Sequence, residues 1–126
     1  MKERSRNPSW TEEELILAFG LLVDLGYRHL KNNDESVLQL SRLLNRLPIH
    51  PKQDRADVFR NPDGVRARIG YFRRMHEGIF PEDHEVYKSV YHSFSNNPKM
   101  LHSRIAKILE AYGYSDYLML YKGLKN

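Results

Sequence analysis

Arg55, Arg60, Arg66, Arg68, Arg73 and Arg74 stand within one short stretch, RADVFRNPDGVRARIGYFRRMH, opposed there only by Asp57 and Asp63. That stretch carries the whole net charge of the 126-residue chain, +4, because the remaining residues are balanced. A guanidinium presents a planar fork of N–H donors. It matches the oxygens of a phosphate or the acceptor pair on a guanine edge in a way an ammonium does not. Arginines gathered on an otherwise neutral chain imply an acidic partner, with nucleic acid the first expectation and an acidic protein surface the second. A solvated face that serves solubility alone is the bland alternative.

Other chemistries find less support. The chain has no cysteine, which excludes a disulfide framework, a thiolate metal site and a cysteine nucleophile together. Of the six histidines, His84 and His92 fall on one helix but about 12 Å apart by helical rise, too far to share an ion. His29, His50, His76 and His102 have no ligand partner at metal spacing. Glu82, Asp83 and Glu85 open a helix, where the dipole alone favours acids. No glycine-rich phosphate loop or nucleophile elbow occurs. Neither catalysis nor a metal or cofactor is expected. Tyr87, Tyr91, Tyr112, Tyr114, Tyr117 and Tyr121 crowd the C-terminal half. They suit either an aromatic pocket for a flipped or modified base or a helical core with a wet edge.

The elements that must position these residues read as helices throughout. Thr11 and Glu14 form a capping box ahead of an apolar run to about Leu25, stopped by Gly26, with Trp10 placed to staple the first turn. Asp34 or Ser36 starts a second helix whose Val37, Leu40, Leu44 and Leu47 recur at helical spacing until Pro48. A proline-containing loop follows, with a helical turn expected around Arg55 to Val58. Asn61-Pro62 then caps and opens a third helix, which runs to about Met75 before Gly78. Helices from beyond Pro81 to Phe94 and from Lys99 to Gly113, and a short terminal one, complete an all-α chain without strand pattern or repeat.

Residues 1–126 are thus expected to form a single domain. A flexible basic arm (1–9, with Lys2, Arg4 and Arg6) precedes a helix-turn-helix, Myb-like three-helix core (10–76) and the C-terminal helices (82–124). No apolar run is long enough to span a bilayer, and the polar start lacks a secretory h-region, so a cytoplasmic protein is expected.

On the third helix, Val65, Ile69 and Phe72 share the stripe that must face the core. Asp63, Ala67, Gly70, Tyr71 and Arg74 lie opposite, with Arg66 and Arg73 bordering them on one side and Arg68 on the other. Gly70 costs a helix interior about 1 kcal/mol against alanine. Close approach to a DNA groove would explain it, and so would packing beneath another helix. The nucleic-acid-binding set read from the sequence is therefore Arg55, Arg60, Asn61, Arg66, Arg68, Gly70, Tyr71, Arg73 and Arg74. Asn61 is its cap, and the N–H groups of Asp63 and Gly64 are expected near a phosphate.

NPSWTEEELILAF, LSRLLNRLPIHP and FRNPDGVRARIGYF together resemble the α-helical N-terminal domain attached to many bacterial HNH-type endonucleases, the modification-dependent, McrA-like restriction enzymes among them. The resemblance spans roughly residues 7–75 and rests most on FRNPxGV. In that family a lysine-containing helix and an Asn-Phe pair usually follow, where this chain has Arg66-Ala67-Arg68-Ile69 and Tyr71-Phe72. The resemblance implies a DNA-binding or target-recognising module, with double-stranded DNA as partner and an HNH nuclease domain in the same or a partner chain. It does not imply nuclease activity here, since the HNH signature is missing.

Overall fold

Thr11 ends an extended lead-in and starts α1 (Glu12–Asp24) through the expected capping box. The Glu14 N–H donates to Thr11 Oγ1 at 3.2 Å, and the Thr11 N–H donates to the Glu14 carboxylate at 3.0 Å. Every residue from Glu14 to Leu22 is buried. A helix apolar around its whole circumference belongs at the centre of a fold, and α1 touches all the other α-helices and the terminal segment. Gly20 allows one of those approaches, because a methyl group there would run into Ile105 Cδ1 and the Tyr121 ring.

The computed structural model describes residues 6–125, and all regular structure among them is helical. After α1 come α2 (Glu35–Arg46), α3 (Pro62–His76), α4 (Glu85–Phe94) and α5 (Pro98–Tyr112), then a terminal 3-10 segment, Ser115–Lys125. Tyr121 kinks that segment; its ring is fully buried and its hydroxyl donates to the Leu17 carbonyl at 2.8 Å. Phe19, Leu44, Val65, Ile69 and Phe72 share one core, with Trp10 partly buried at its edge. Phe19 meets Phe72 at 4.9 Å with the rings tilted by 37°, and meets Tyr91 edge-on at 5.7 Å. No helix among the described residues is long and apolar enough to cross a membrane.

The differences from the sequence reading lie in the connections. Residues 47–61 join α2 to α3 where the sequence reading placed its loop, but that path is longer than the turn of about three or four residues in the helix-turn-helix it expected. Its 3-10 turn is at Lys52–Asp54, ahead of the expected Arg55–Val58. Helix α4 starts at Glu85 because His84, with φ of 65°, is left-handed and cannot continue a helix backwards. The lead-in is pinned where it is described. Asn7 Oδ1 accepts from the Ala56 N–H at 2.7 Å, and the Ser9 carbonyl accepts from Arg60 at 3.3 Å, where a flexible arm was expected. Lys2 and Arg4 lie outside the described residues.

The long connection is fastened by Arg60, only 4% exposed, and Glu14, 1% exposed. The guanidinium grips both carboxylate oxygens, at 2.7 and 3.0 Å. It also lies over the rings of Trp10 (4.7 Å) and Phe59 (4.4 Å). His50 Nε2 sits 2.9 Å from the same carboxylate. The Arg60 carbonyl accepts from Ser41 Oγ of α2 at 2.7 Å. Burial alone would raise the Glu14 pKa, but the hydrogen bonds and charge of Arg60, the Thr11 N–H and His50 outweigh it, and the carboxyl is held below its ordinary 4.5. The pair's contribution is therefore complete above pH 4.5 and is lost as pH falls through the lower folded-state pKa. Glu14→Gln leaves a buried, uncompensated guanidinium and should cost about 3–5 kcal/mol in urea denaturation. The variant should also lose much of the acid-side decline of stability. A cost under about 1 kcal/mol would mean that Arg60 finds another acceptor or water.

Candidate nucleic-acid interface

The arginines of the charged stretch divide by position. Arg60 belongs to the core, so its expected contact with a ligand is corrected: its guanidinium already makes three donor contacts and lies against two aromatic rings. Arg55 is also structural. It donates to the carbonyls of Asn45 (2.8 Å), Leu47 (3.0 Å) and His50 (3.1 Å), closing the C-terminal end of α2 and holding the connection against it. The remaining four, Arg66, Arg68, Arg73 and Arg74, lie on α3 away from its buried stripe of Val65, Ile69, Phe72 and Met75.

Asn61 caps α3 as its sequence implies, its Oδ1 accepting from the Gly64 N–H at 2.9 Å. That bond corrects the expectation that the Gly64 N–H is free for a phosphate. Asp63 accepts a hydrogen bond from Asn32 Nδ2 in the α1–α2 connection, which ties the carboxylate back to the fold.

Arg66, Arg73 and Arg74 line one side of a groove of about 250 Å³, with Ala67, Gly70 and Tyr71 beside them. Arg28, His29 and Leu30, from the segment after α1, form the other side. The structure thus brings five of the sequence-expected residues together: Arg66, Gly70, Tyr71, Arg73 and Arg74. It adds Arg28 and His29, which the sequence reading missed, although the basic run Arg28-His29 directly after the Gly26 stop was a visible signal. Arg28 has Asp34 at 3.5 Å, and Arg73 pairs with Glu77 at 2.8 Å across one helical turn. Arg74 lies over the face of Tyr71 at 4.9 Å, which orients a long side chain without neutralising it. No ion pair among the described residues includes Arg66. Arg68 projects on the other flank, 5.8 Å from the Tyr71 ring and beside Tyr87.

Gly70 does not pack beneath another helix. A methyl group there would meet only the Arg74 Nη1, at an ordinary 3.9 Å. The glycine thus has no steric reason inside the fold, and the space above it is the groove. Gly70→Ala should raise stability by up to about 1 kcal/mol, read as a higher midpoint of thermal unfolding. A loss of stability would reveal a packing role that the geometry does not contain.

The tyrosines serve the core and its edge rather than one pocket. Tyr87 and Tyr121 are buried. Tyr112 donates to Glu13 at 2.6 Å, and this hydrogen bond, with burial behind it, pushes its pKa up to about 12. Tyr117 accepts from Arg46 at 2.7 Å. Among the described residues no three His, Asp or Glu side chains converge as metal ligands. Compared with known protein families, curated proteins and solved structures, the chain matches none.

Proposed function

We propose that this chain is a DNA-binding domain whose groove between α3 and Arg28–Leu30 holds the phosphodiester backbone. One observation carries the reading. The ionisable side chains lining that groove are Arg28, Arg66, Arg73, Arg74 and His29, with Tyr71 the only other titratable group and no carboxylate among them. A groove of about 250 Å³ is smaller than the roughly 300–1,000 Å³ of an enclosing small-molecule site. It suits a phosphate and its sugar better than a cofactor. The resemblance to the helical domains of HNH endonucleases supports the same conclusion. It extends the proposal to target recognition, including of modified DNA, for a nuclease domain that supplies the catalysis.

Binding of the chain to a short duplex should weaken steeply with salt, as each neutralised phosphate releases counterions. Arg66→Ala and Arg74→Ala should each flatten the plot of log K against log[salt] by about 0.9, with unfolding midpoints nearly unchanged. Unmodified, methylated and phosphorothioated duplexes, compared at one salt concentration, would show whether a modification is read. A slope that neither substitution alters would overturn the assignment of this groove. Absence of DNA binding together with capture of an acidic protein by the arginine face would replace the reading altogether.

A further inference from the structure

We infer that the chain also binds a free mononucleotide, in a cavity of about 610 Å³ between the lead-in, the turn before α3 and the start of α4. This cavity shares no lining residue with the arginine groove, and the inference does not rest on the DNA-binding reading. Sites that enclose a small ligand have volumes of roughly 300–1,000 Å³.

The backbone around the cavity carries the first observation. Four non-glycine residues among those described have a positive φ, and three of them, Val58 (56°), Arg60 (47°) and His84 (65°), line it. Strained backbone gathers at ligand sites. Arg60 is held in its conformation by the pair with Glu14, but Val58 has no such reason. It is 70% exposed, and a left-handed β-branched residue is an outlier. The strained turn thus sets an apolar side chain at the rim of a cavity instead of in the core. His84 likewise places its ring 5.0 Å from that of Tyr87 in the opposite wall. The lead-in wall is fixed before any ligand arrives, because Asn7 and the Ser9 carbonyl are bonded to Ala56 and Arg60.

The chemistry of the lining selects the ligand. Arg60 covers one face of Trp10, whose ring is only partly buried, and His84 and Tyr87 stand on the α4 side. Aromatic walls of this kind take a planar ring. Asn61 gives its Oδ1 to the cap of α3, which leaves its amide N–H groups as donors to a ring nitrogen or carbonyl. Arg6 and Arg68 take part in no ion pair among the described residues. The carboxylate of the lining, Glu85, is already paired with Lys88 at 2.7 Å. The cavity therefore offers stacking surface, donors for a heterocycle and two cations for an acidic group. A nucleobase carrying one phosphate combines the three matching features, and the guanidinium fork suits the phosphate oxygens.

Trp10 is the single tryptophan of the chain and stands in the cavity wall, so its fluorescence reports occupancy. The intact chain is titrated with AMP, CMP, adenosine and ribose 5-phosphate, and calorimetry gives each Kd. AMP and CMP should quench Trp10 saturably. The two compounds that lack the phosphate or the base should each bind at least about tenfold more weakly. Arg68→Ala should weaken AMP by about the same factor and leave adenosine unchanged. Val58→Gly should not lower the unfolding midpoint, because glycine adopts a positive φ freely, yet it should weaken AMP. Equal affinity for AMP and ribose 5-phosphate would reduce the cavity to an unspecific anion patch and overturn the inference. So would a failure of every free nucleotide to bind at millimolar concentration. Quenching by a DNA duplex alone would assign the cavity to the DNA interface and overturn it as well. None of these outcomes touches the reading of the other groove, whose test depends on Arg66 and Arg74.

Discussion

The buried pair of Arg60 and Glu14 is the constraint on which the arrangement of this chain depends. Taking two charges out of water costs several kcal/mol per ion, so the pair must be completed by other interactions to persist. Here the carboxylate also accepts from the Thr11 N–H and faces His50, while the guanidinium is covered by two aromatic rings. The Arg60 carbonyl is held from α2 by Ser41. One residue therefore ties the first turn of α1, the body of α2 and the start of α3. The left-handed backbone of Arg60, with φ of 47°, is maintained by contacts from all these directions. Because Asn61 follows immediately, the position of the α3 cap is set by an ion pair made inside the core.

This pairing changes how the charge of the arginine-rich stretch is distributed in space. Arg60 is neutralised by a carboxylate from α1, and Arg55 spends its donors on backbone carbonyls. The cations of that stretch that face outward are those of α3, joined by Arg28 from the segment after α1. The surface field thus belongs to one helix and the loop beside it. Its acids are set at the edges: Asp63 is tied to Asn32, and Glu77 to Arg73.

The helices, the caps of α1 and α3 and the core stripe of α3 were legible in the sequence because each depends on residues three or four apart. The capping box of Thr11 and Glu14, the Asn61 cap, and the separation of Arg66 and Arg73 from Arg68 follow from helical geometry alone. What could not be read depends on long-range contact. Among the clustered arginines, nothing local marks Arg60 as the buried one, since its partner is 46 residues away. The groove wall at Arg28 and His29 exists only once the segment after α1 lies against α3. The delayed start of α4 and the shifted 3-10 turn reflect backbone conformations, at His84 and around Val58, that residue type disfavours. Whether the lead-in was free or fastened turned on a single side chain, Asn7, bonding to a backbone group 49 residues on.

The complete enclosure of α1 has a consequence for how the molecule opens. Buried from Glu14 to Leu22 and in contact with every other α-helix, it cannot be exposed by fraying of any one neighbour. Its central amide hydrogens should exchange with solvent only when the whole domain unfolds. A ligand that binds the native state slows that exchange by the factor 1 + [L]/Kd, wherever on the surface it binds. The helix farthest from solvent would then register occupancy of the arginine groove without touching what fills it.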